Sequence, residues 1–277
     1  MGIPSFRRKL RENSPRRMDT PFLLRRNNIR LMCTNFLPAV QLKYLRGMFG
    51  VDLPEFEFHT EAYPGYGAPI VRNIIRQSDD QPPRRECIAA RFGLVPYWSK
   101  PEEVDKPTRR FATHNARVET VGQLPSFKHA WHNSQRCLIP VEAFFEPCWE
   151  TGKAVRWKMT LRDGHVFALA GIWERWHRDG KEVMSFSMLT VNADGHAIMQ
   201  RMHRPGEEKR MPVIVRRDDY DRWLSASPEE ARRMCQAFAA EEIHAVADPK
   251  PARSLRKEAG DGSERSGSGH AVGDGKD

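Results

Sequence analysis

The chain has 277 residues and a formal net charge of +9, and it contains neither an apolar run as long as a membrane span nor a secretion signal. Residues 1–31 carry nine basic and two acidic side chains and residues 248–277 carry six of each, which leaves +2 for the residues between them. A phosphate site in the body of the chain must therefore be a local patch, because no strong overall field attracts nucleic acid there.

The two ends are predicted to differ from the body of the chain. Residues 1–31 form a basic extension, and residues 246–277 form a tail rich in Gly, Ser, Lys and Glu. Both have little apolar periodicity and are predicted to be disordered. Residues 32–245 show no linker and no internal repeat, so we predict a single domain there.

Within this domain, residues 38–49 have apolar side chains at helical spacing, and Pro38 suits a helix start. Short apolar runs bounded by turn residues then predict strands at 70–75, 87–94, 136–145, 154–161, 165–173, 184–191 and 211–215. Two late helices are predicted, over residues 218–224 and 228–239. Many strands with helices at the two ends indicate an α+β domain, with a folded-over, barrel-like sheet of mixed or antiparallel strands flanked by helices.

The segment 113–120 places an amide, a guanidinium and a carboxylate within five residues. In a strand, Asn115, Arg117 and Glu119 would share one face, because side chains alternate. Asn can hydrogen-bond a polar ligand atom, and the planar fork of Arg can hold a phosphate. A solvated edge strand gives the same pattern, so this segment alone does not choose between the two interpretations.

Other residues have reactive or ring side chains at notable places. Cys33 directly follows an internal methionine, Glu146 follows an apolar strand, and His203 lies in a turn before the last predicted strand. Each also has an ordinary interpretation, as a small buried residue, a solvated strand end and a satisfied loop histidine. Trp98 ends a turn that begins at Pro96, and its ring could stack on a nucleobase.

The cysteine pattern argues against a metal and against a disulfide framework. The five cysteines are odd in number and show no Cys-x-x-Cys spacing. Free thiols are typical of a reducing compartment, so we expect a cytoplasmic protein with no metal and no cofactor.

Six motifs occur together in one order. They are Met-Cys at 32–33, Gly-Leu-Val-Pro-Tyr-Trp at 93–98, Asn-Ala-Arg-Val-Glu-Thr at 115–120, Ser-Phe-Lys at 126–128, Phe-Phe-Glu at 144–146, and Met-His at 202–203 with Arg-Met-Pro at 210–212. This set resembles the SRAP family, the SOS response-associated peptidases that shield abasic sites, over about residues 32–240.

The resemblance implies a covalent reaction with DNA. Once Cys33 is N-terminal, its amine would condense with the aldehyde of a ring-opened abasic sugar, and its thiol would close a thiazolidine. Asn115 would hydrogen-bond the adduct, and Arg117 would hold a phosphate. Glu146 would move protons during ring opening and Schiff-base formation, and His203 would act as acid and base at the sugar.

The same resemblance implies partners and processing. We expect a monomer that acts on abasic sites in single-stranded DNA, at the nucleoid if the source is bacterial, with Trp98 and Pro96 touching the DNA. Cys33 has no free amine while residues 1–32 are attached. We favour a translation start at Met32, with self-cleavage after Met32 and loss of the chemistry as alternatives.

The sequence also departs from the family pattern. Cys33 is followed by Thr34 and Asn35 where the family has Gly-Arg, and six residues separate His203 from Arg210 instead of one. Glu119 has no assigned step and is expected to pair with the guanidinium two residues before it.

Two other functions remain open. The protein could be a cysteine peptidase acting on other proteins, with Cys33 as nucleophile and His203 and Glu146 as its partners. It could also be a non-covalent nucleic-acid-binding module, in which Arg117 and the basic extension contact phosphates.

Overall fold

The structure is a computed structural model that describes residues 35–74, 84–104 and 112–250. Cys33, the predicted basic extension and most of the predicted tail lie outside the described residues. No helix within the described ranges is long and apolar enough to cross a membrane.

Strands dominate the described residues. They are β1 Phe36–Pro38, β2 Gly67–Asn73, β3 Arg85–Phe92, β4 Asn115–Arg117, β5 Arg136–Cys148, β6 Val155–Leu161, β7 Phe167–Arg178, β8 Lys181–Asn192, β9 Arg210–Pro212, β10 Ile214–Val215 and β11 Ile243–Ala247.

The helices are short. They are α1 Leu42–Tyr44, which continues as the π-helical turn Leu45–Phe49, and then α2 Pro101–Val104, α3 Lys128–His132, α4 Tyr220–Ser225 and α5 Pro228–Met234. Three 3₁₀ turns cover Met199–Arg201, Arg217–Asp219 and Ala240–Glu242. Ser227 caps α5 by accepting a hydrogen bond from the amide of Glu230, as expected for a serine before a helix.

Five strands close into a barrel. Strands β7, β8, β3, β2 and β5 are hydrogen-bonded in that order, and β5 pairs again with β7 to complete the ring. The β3–β8 pairing is parallel, and the other pairings of the ring are antiparallel. The predicted α+β class, with a folded-over mixed sheet, is confirmed.

Shorter strands extend this ring and carry the polar residues of interest. Strand β1 pairs with β5, while β4 and β9 both pair with the end of β8. The register sets Arg117 opposite Thr190 and Arg210 opposite Asn192, so the two arginines come to the same end of β8.

The two faces of the barrel strands supply two apolar clusters, because side chains alternate along a strand. Cys137 and Ile139 join a cluster with Phe92 and Phe186, whereas Leu138 joins a cluster that contains residues of the helices. Gly171 is required by this packing, since a Cβ there would lie 2.7 Å from the Sγ atom of Cys137.

Three predicted elements differ from the structure. Pro38 ends β1 rather than starting a helix, and the predicted helix over 228–239 stops at Met234. The chain becomes extended at Cys235 and Phe238 is buried in the barrel cluster, so packing overrides helix propensity. The predicted strand 211–215 splits at Val213, because the chain passes there from pairing with β8 to pairing with β7.

Candidate functional site

A buried acid–histidine pair lies where β5 ends. Glu146 is 2% exposed and His203 is 3% exposed, and the Nε2 atom of His203 lies 2.9 Å from Oε2 of Glu146. The turn that carries His203 is attached to β5 by its backbone: the amide of His203 donates to the carbonyl of Pro147, and Met202 bridges to Cys148. These contacts bring together two of the predicted site residues.

The electrostatics of this pair favour a protonated imidazole. Burial alone would lower the pKa of His203, but the charge and the hydrogen bond of Glu146 outweigh it, so the pKa is raised above the usual 6.5. The Nδ1 atom of His203 is buried and has no hydrogen-bond partner among the described residues. The pair can therefore hold a proton in a site that excludes water, with one ring nitrogen left for another group.

The first described residues of the chain are held beside this pair. The carbonyl of Asn35 accepts a hydrogen bond from the amide of Phe145, one residue before Glu146. The side chain of Asn35 donates to Glu61. The start of β1 is thus attached through both its backbone and a side chain.

Glu61 is the centre of a charged network. It accepts hydrogen bonds from the hydroxyl of Tyr63 at 2.6 Å and from Arg156 at 2.8 Å, and Lys250 lies 3.1 Å away. Burial raises the pKa of Glu61, but its partners Tyr63, Lys250 and Arg156 lower it by more, so the carboxylate is held ionised. This network fixes the acceptor that holds Asn35.

Asn115 and Arg117 lie in β4, as the alternation of side chains predicted, with Asn115 buried and Arg117 about one-third exposed. The strand ends at Arg117, however, so Glu119 lies beyond it. The expected pairing of Glu119 with Arg117 is wrong. Arg117 is paired with Glu208, with its Nη1 atom 2.8 Å from Oε2.

Glu119 is paired with Arg210, a buried residue at the start of β9. The Nη2 atom of Arg210 lies 2.8 Å from Oε2 of Glu119 and 2.7 Å from the carbonyl of Thr190, and its Nη1 atom lies 2.8 Å from Oε1 of Glu208. Arg210 is 2% exposed, so a carboxylate from each side neutralises a guanidinium that burial would otherwise destabilise.

Comparisons with known proteins identify the family. The model of the SOS response associated peptidase (SRAP) family matches residues 32–248. The chain belongs to the SRAP family. This confirms the resemblance seen in the sequence motifs.

Several SRAP relatives have been named or solved. Abasic site processing protein YoqW of Bacillus subtilis is 27% identical over 223 residues, which are 77% of this chain and 91% of that protein. Abasic site processing protein HMCES of Xenopus tropicalis is 23% identical over 184 residues, which are 58% of this chain and 52% of that protein.

Solved structures agree with the fold. A crystal structure of a protein from Bordetella bronchiseptica is 32% identical, has a TM-score of 0.71 and covers 78% of this chain and 99% of its own. A protein from Bacteroides thetaiotaomicron, 22% identical over 79% of this chain and 93% of its own, has a TM-score of 0.65 and supports the fold alone.

The turn at residues 96–98 of this SRAP domain exposes the ring of Tyr97, which was not predicted as a site residue. Pro96 is buried, and Trp98 is half-buried with its Nε1 atom donating to the carbonyl of Pro125. Tyr97 between them is 46% exposed, and its ring centroid lies 4.6 Å from that of His129. Tyr97 is therefore the more accessible ring for stacking.

The sequence interpretation also missed Glu208 and Arg210. The charged run Glu-Glu-Lys-Arg at 207–210, inside the segment that lengthens the spacing after His203, was the available signal. No group of three or more His, Cys, Asp or Glu side chains in the described part of the chain is arranged to hold a metal ion.

Proposed function

We propose that this SRAP protein processes abasic sites in single-stranded DNA by bonding covalently to them through Cys33, acting as a monomer in the cytoplasm and, in a bacterium, at the nucleoid. The observation that carries the proposal is the attachment of Asn35 beside Glu146. Cys33 precedes Asn35 by two residues, so their Cα atoms are at most about 7 Å apart. The names of the relatives, abasic site processing proteins, support the same substrate.

The chemistry follows from an N-terminal cysteine. A terminal amine has a pKa of roughly 7.7–8.0, so a useful fraction is neutral and nucleophilic near pH 7. Its nitrogen attacks the C1′ aldehyde of the opened sugar, and a Schiff base forms with loss of one water. The thiol of Cys33 then adds to the imine carbon and its proton passes to the nitrogen, which closes a five-membered thiazolidine. No oxidant or cofactor is consumed.

The buried pair supplies the proton transfers of this sequence. His203, with its raised pKa, donates a proton to the sugar oxygen as the ring opens, and its unpartnered Nδ1 atom is suited to that contact. Glu146 takes the proton released by the attacking amine and returns it when water leaves. Both steps occur where water is excluded, which strengthens each charge interaction.

The remaining predicted residues, Pro96 apart, bind the DNA. Arg117, on the end of β4, would hold a phosphate, and Asn115 would hydrogen-bond the adduct. Trp98 would lie along the strand, with stacking provided by the rings of its turn, whereas Pro96 is buried and would shape that turn without touching the DNA. Because an abasic site has no base to read, affinity would come from phosphates and stacking and would fall with salt.

The amine of Cys33 has to be freed before it reacts. Either translation begins at Met32 and the methionine is removed, or the protein cleaves itself after Met32 with Cys33, Glu146 and His203 as the reacting groups. Intact-mass measurement of protein produced from its native gene tests this requirement. A mature, DNA-reactive chain that still carries residues before Cys33 would sink the thiazolidine proposal.

A denaturing gel tests the reaction itself. The mature protein is incubated with a uracil-containing single strand treated with uracil glycosylase, and a shifted band that survives denaturation is expected. Cys33→Ala should abolish the band, whereas Cys87→Ala, a thiol in β3 with no proposed role, should leave it unchanged. Crosslinking that persists in Cys33→Ala would refute the assignment.

A cysteine peptidase that acts on other proteins is the second candidate, favoured by the peptidase in the family's name and by the buried Glu146–His203 pair. Such an enzyme would not need a free amine on Cys33. Turnover of unblocked peptides by a protein whose Cys33 amine has been acetylated would support this candidate over the proposed one.

A further inference from the structure

The phosphate-binding residue of the proposed function is already occupied by a carboxylate of the same chain. Oε2 of Glu208 lies 2.8 Å from Nη1 of Arg117, and the two side chains are 35% and 32% exposed. A carboxylate and a phosphate present similar oxygen acceptors to a guanidinium. Glu208 therefore makes the contact that a DNA phosphate would make.

Glu208 is oriented for this contact by other groups. Its Oε1 atom accepts hydrogen bonds from Arg210 at 2.8 Å and from the side-chain Nδ2 atom of Asn192 at 3.3 Å, while Oε2 lies against Arg117. Burial would raise the pKa of Glu208, but these hydrogen bonds and the nearby arginine charges lower it by more. The carboxylate is thus ionised and held in place.

The segment that carries Glu208 is also braced. The Nζ atom of Lys209 donates to the carbonyls of Met202 and Arg204 at 2.8 and 2.9 Å, and the amide of Lys209 donates to Asp194 at 2.9 Å. These contacts tie Lys209, the residue after Glu208, to the residues on either side of His203. The lengthened segment between His203 and Arg210 is thus a structured turn, and its Glu208 contacts Arg117.

We propose that Glu208 competes with DNA phosphate for Arg117 and thereby sets the affinity and the salt dependence of DNA binding. This inference rests on the proposed function, because it assumes that Arg117 binds phosphate. An isolated small phosphate gains only one contact when it displaces Glu208, whereas a DNA strand gains further backbone and stacking contacts. Displacing Glu208 costs both ligands the same free energy, so a ligand with further contacts, such as a DNA strand, still binds where a small phosphate with this contact alone does not.

Replacing the carboxylate by an amide tests the competition. Glu208→Gln keeps the size of the side chain, and Arg210 retains its partner Glu119. Exposed ion pairs contribute little, so we expect about two- to fivefold tighter binding of single-stranded DNA. The salt dependence should also steepen by about 0.7 in log–log slope, because in the wild type the displaced carboxylate of Glu208 takes up a cation and offsets one cation released from the DNA.

The matched control is Glu182→Gln. Glu182 pairs with Arg175 at the other end of β8, ten residues and about 33 Å from Asn192. Like Glu208→Gln, the Glu182→Gln substitution removes one negative charge from the protein, but it leaves the surroundings of Arg117 unchanged. Equal tightening in both variants would show a general charge effect and would overturn the inference.

The binding experiment uses an oligonucleotide with a tetrahydrofuran residue, which has no aldehyde and therefore cannot crosslink, and fluorescence anisotropy as the readout. In the double variant Glu208→Gln with Arg117→Gln, the gain should vanish, because both act at one contact. A gain that survives the loss of Arg117 would overturn the inference. Melting temperatures of each variant confirm that the fold is kept.

The outcomes separate the two proposals. If the wild-type protein binds the strand and Glu208→Gln behaves like Glu182→Gln, the inference fails and the proposed function stands. If neither the wild type nor any variant binds the strand, the DNA-directed function fails and the inference fails with it.

Discussion

The Nε2 atom of His203 lies 2.9 Å from Oε2 of Glu146, although the two residues are 57 positions apart in the chain. The backbone of Met202 and His203 is bonded to the end of β5, so His203 keeps its place despite the lengthened segment that follows it. The residues after His203 form a turn whose Glu208 contacts Arg117. The lengthened segment therefore places Glu208 against Arg117 and leaves the contact between Glu146 and His203 intact.

Replacing Glu146 should lower the pKa of His203. In Glu146→Gln the charge that raises this pKa is removed and burial, which lowers it, is left unopposed. We expect a value below the usual 6.5, measured by NMR titration of the histidine Cε1 proton. A titration that does not move would show that Glu146 does not set the protonation of His203.

The same pair makes stability depend on pH. Because the pKa of His203 is raised in the folded protein, its protonation stabilises the fold fully below the unfolded value of about 6.5, and this contribution is lost as pH rises through the folded pKa. The difference in free energy of unfolding between the wild type and His203→Gln should therefore shrink above neutral pH. Urea titrations between about pH 5.5 and 9 measure it, and a difference that grows with pH would contradict the raised pKa.

Glu119 should be structural. Glu119→Gln leaves buried Arg210 with one carboxylate instead of two, and we expect a loss of about 1–3 kcal/mol in the free energy of unfolding. Crosslinking to an abasic strand should persist. Loss of crosslinking in a variant that still folds would give Glu119 a direct role.

Glu61 should position the start of β1. In Glu61→Ala, Asn35 loses the acceptor of its side chain, so Cys33 would be held less firmly near Glu146. We expect slower crosslinking and an unchanged dissociation constant for the tetrahydrofuran oligonucleotide. Glu182→Ala serves as the control, and equal crosslinking rates in the two variants would argue against positioning.

Trp98 should contribute to binding through stacking. Trp98→Ala should weaken binding of a single strand by about 1–3 kcal/mol, whereas Trp98→Phe retains a ring and should keep most of the affinity. Because the ring of Tyr97 is more exposed than that of Trp98, Tyr97→Ala should be measured in the same binding assay. An unchanged dissociation constant in both alanine variants would remove this turn from the DNA path.

The local order of polar and apolar residues was sufficient to predict the fold class and several site residues of this protein. Alternation predicted that Asn115 and Arg117 share a face, and short apolar runs predicted the strands of the barrel. The motifs around Cys33, Asn115, Glu146 and His203 were sufficient to name the family. These features depend on neighbours in the chain, which is why a sequence shows them.

Tertiary structure alone decided the pairing of charges. Glu119 lies two residues from Arg117 but is bonded to Arg210, which is 91 residues away, while Glu208 takes Arg117. Strand β4 ends at Arg117, and β9 brings Arg210 to the same end of β8, so ion partners follow the sheet register and not proximity in sequence. Charges pair at short range in space, and only the folded sheet determines which charges become neighbours.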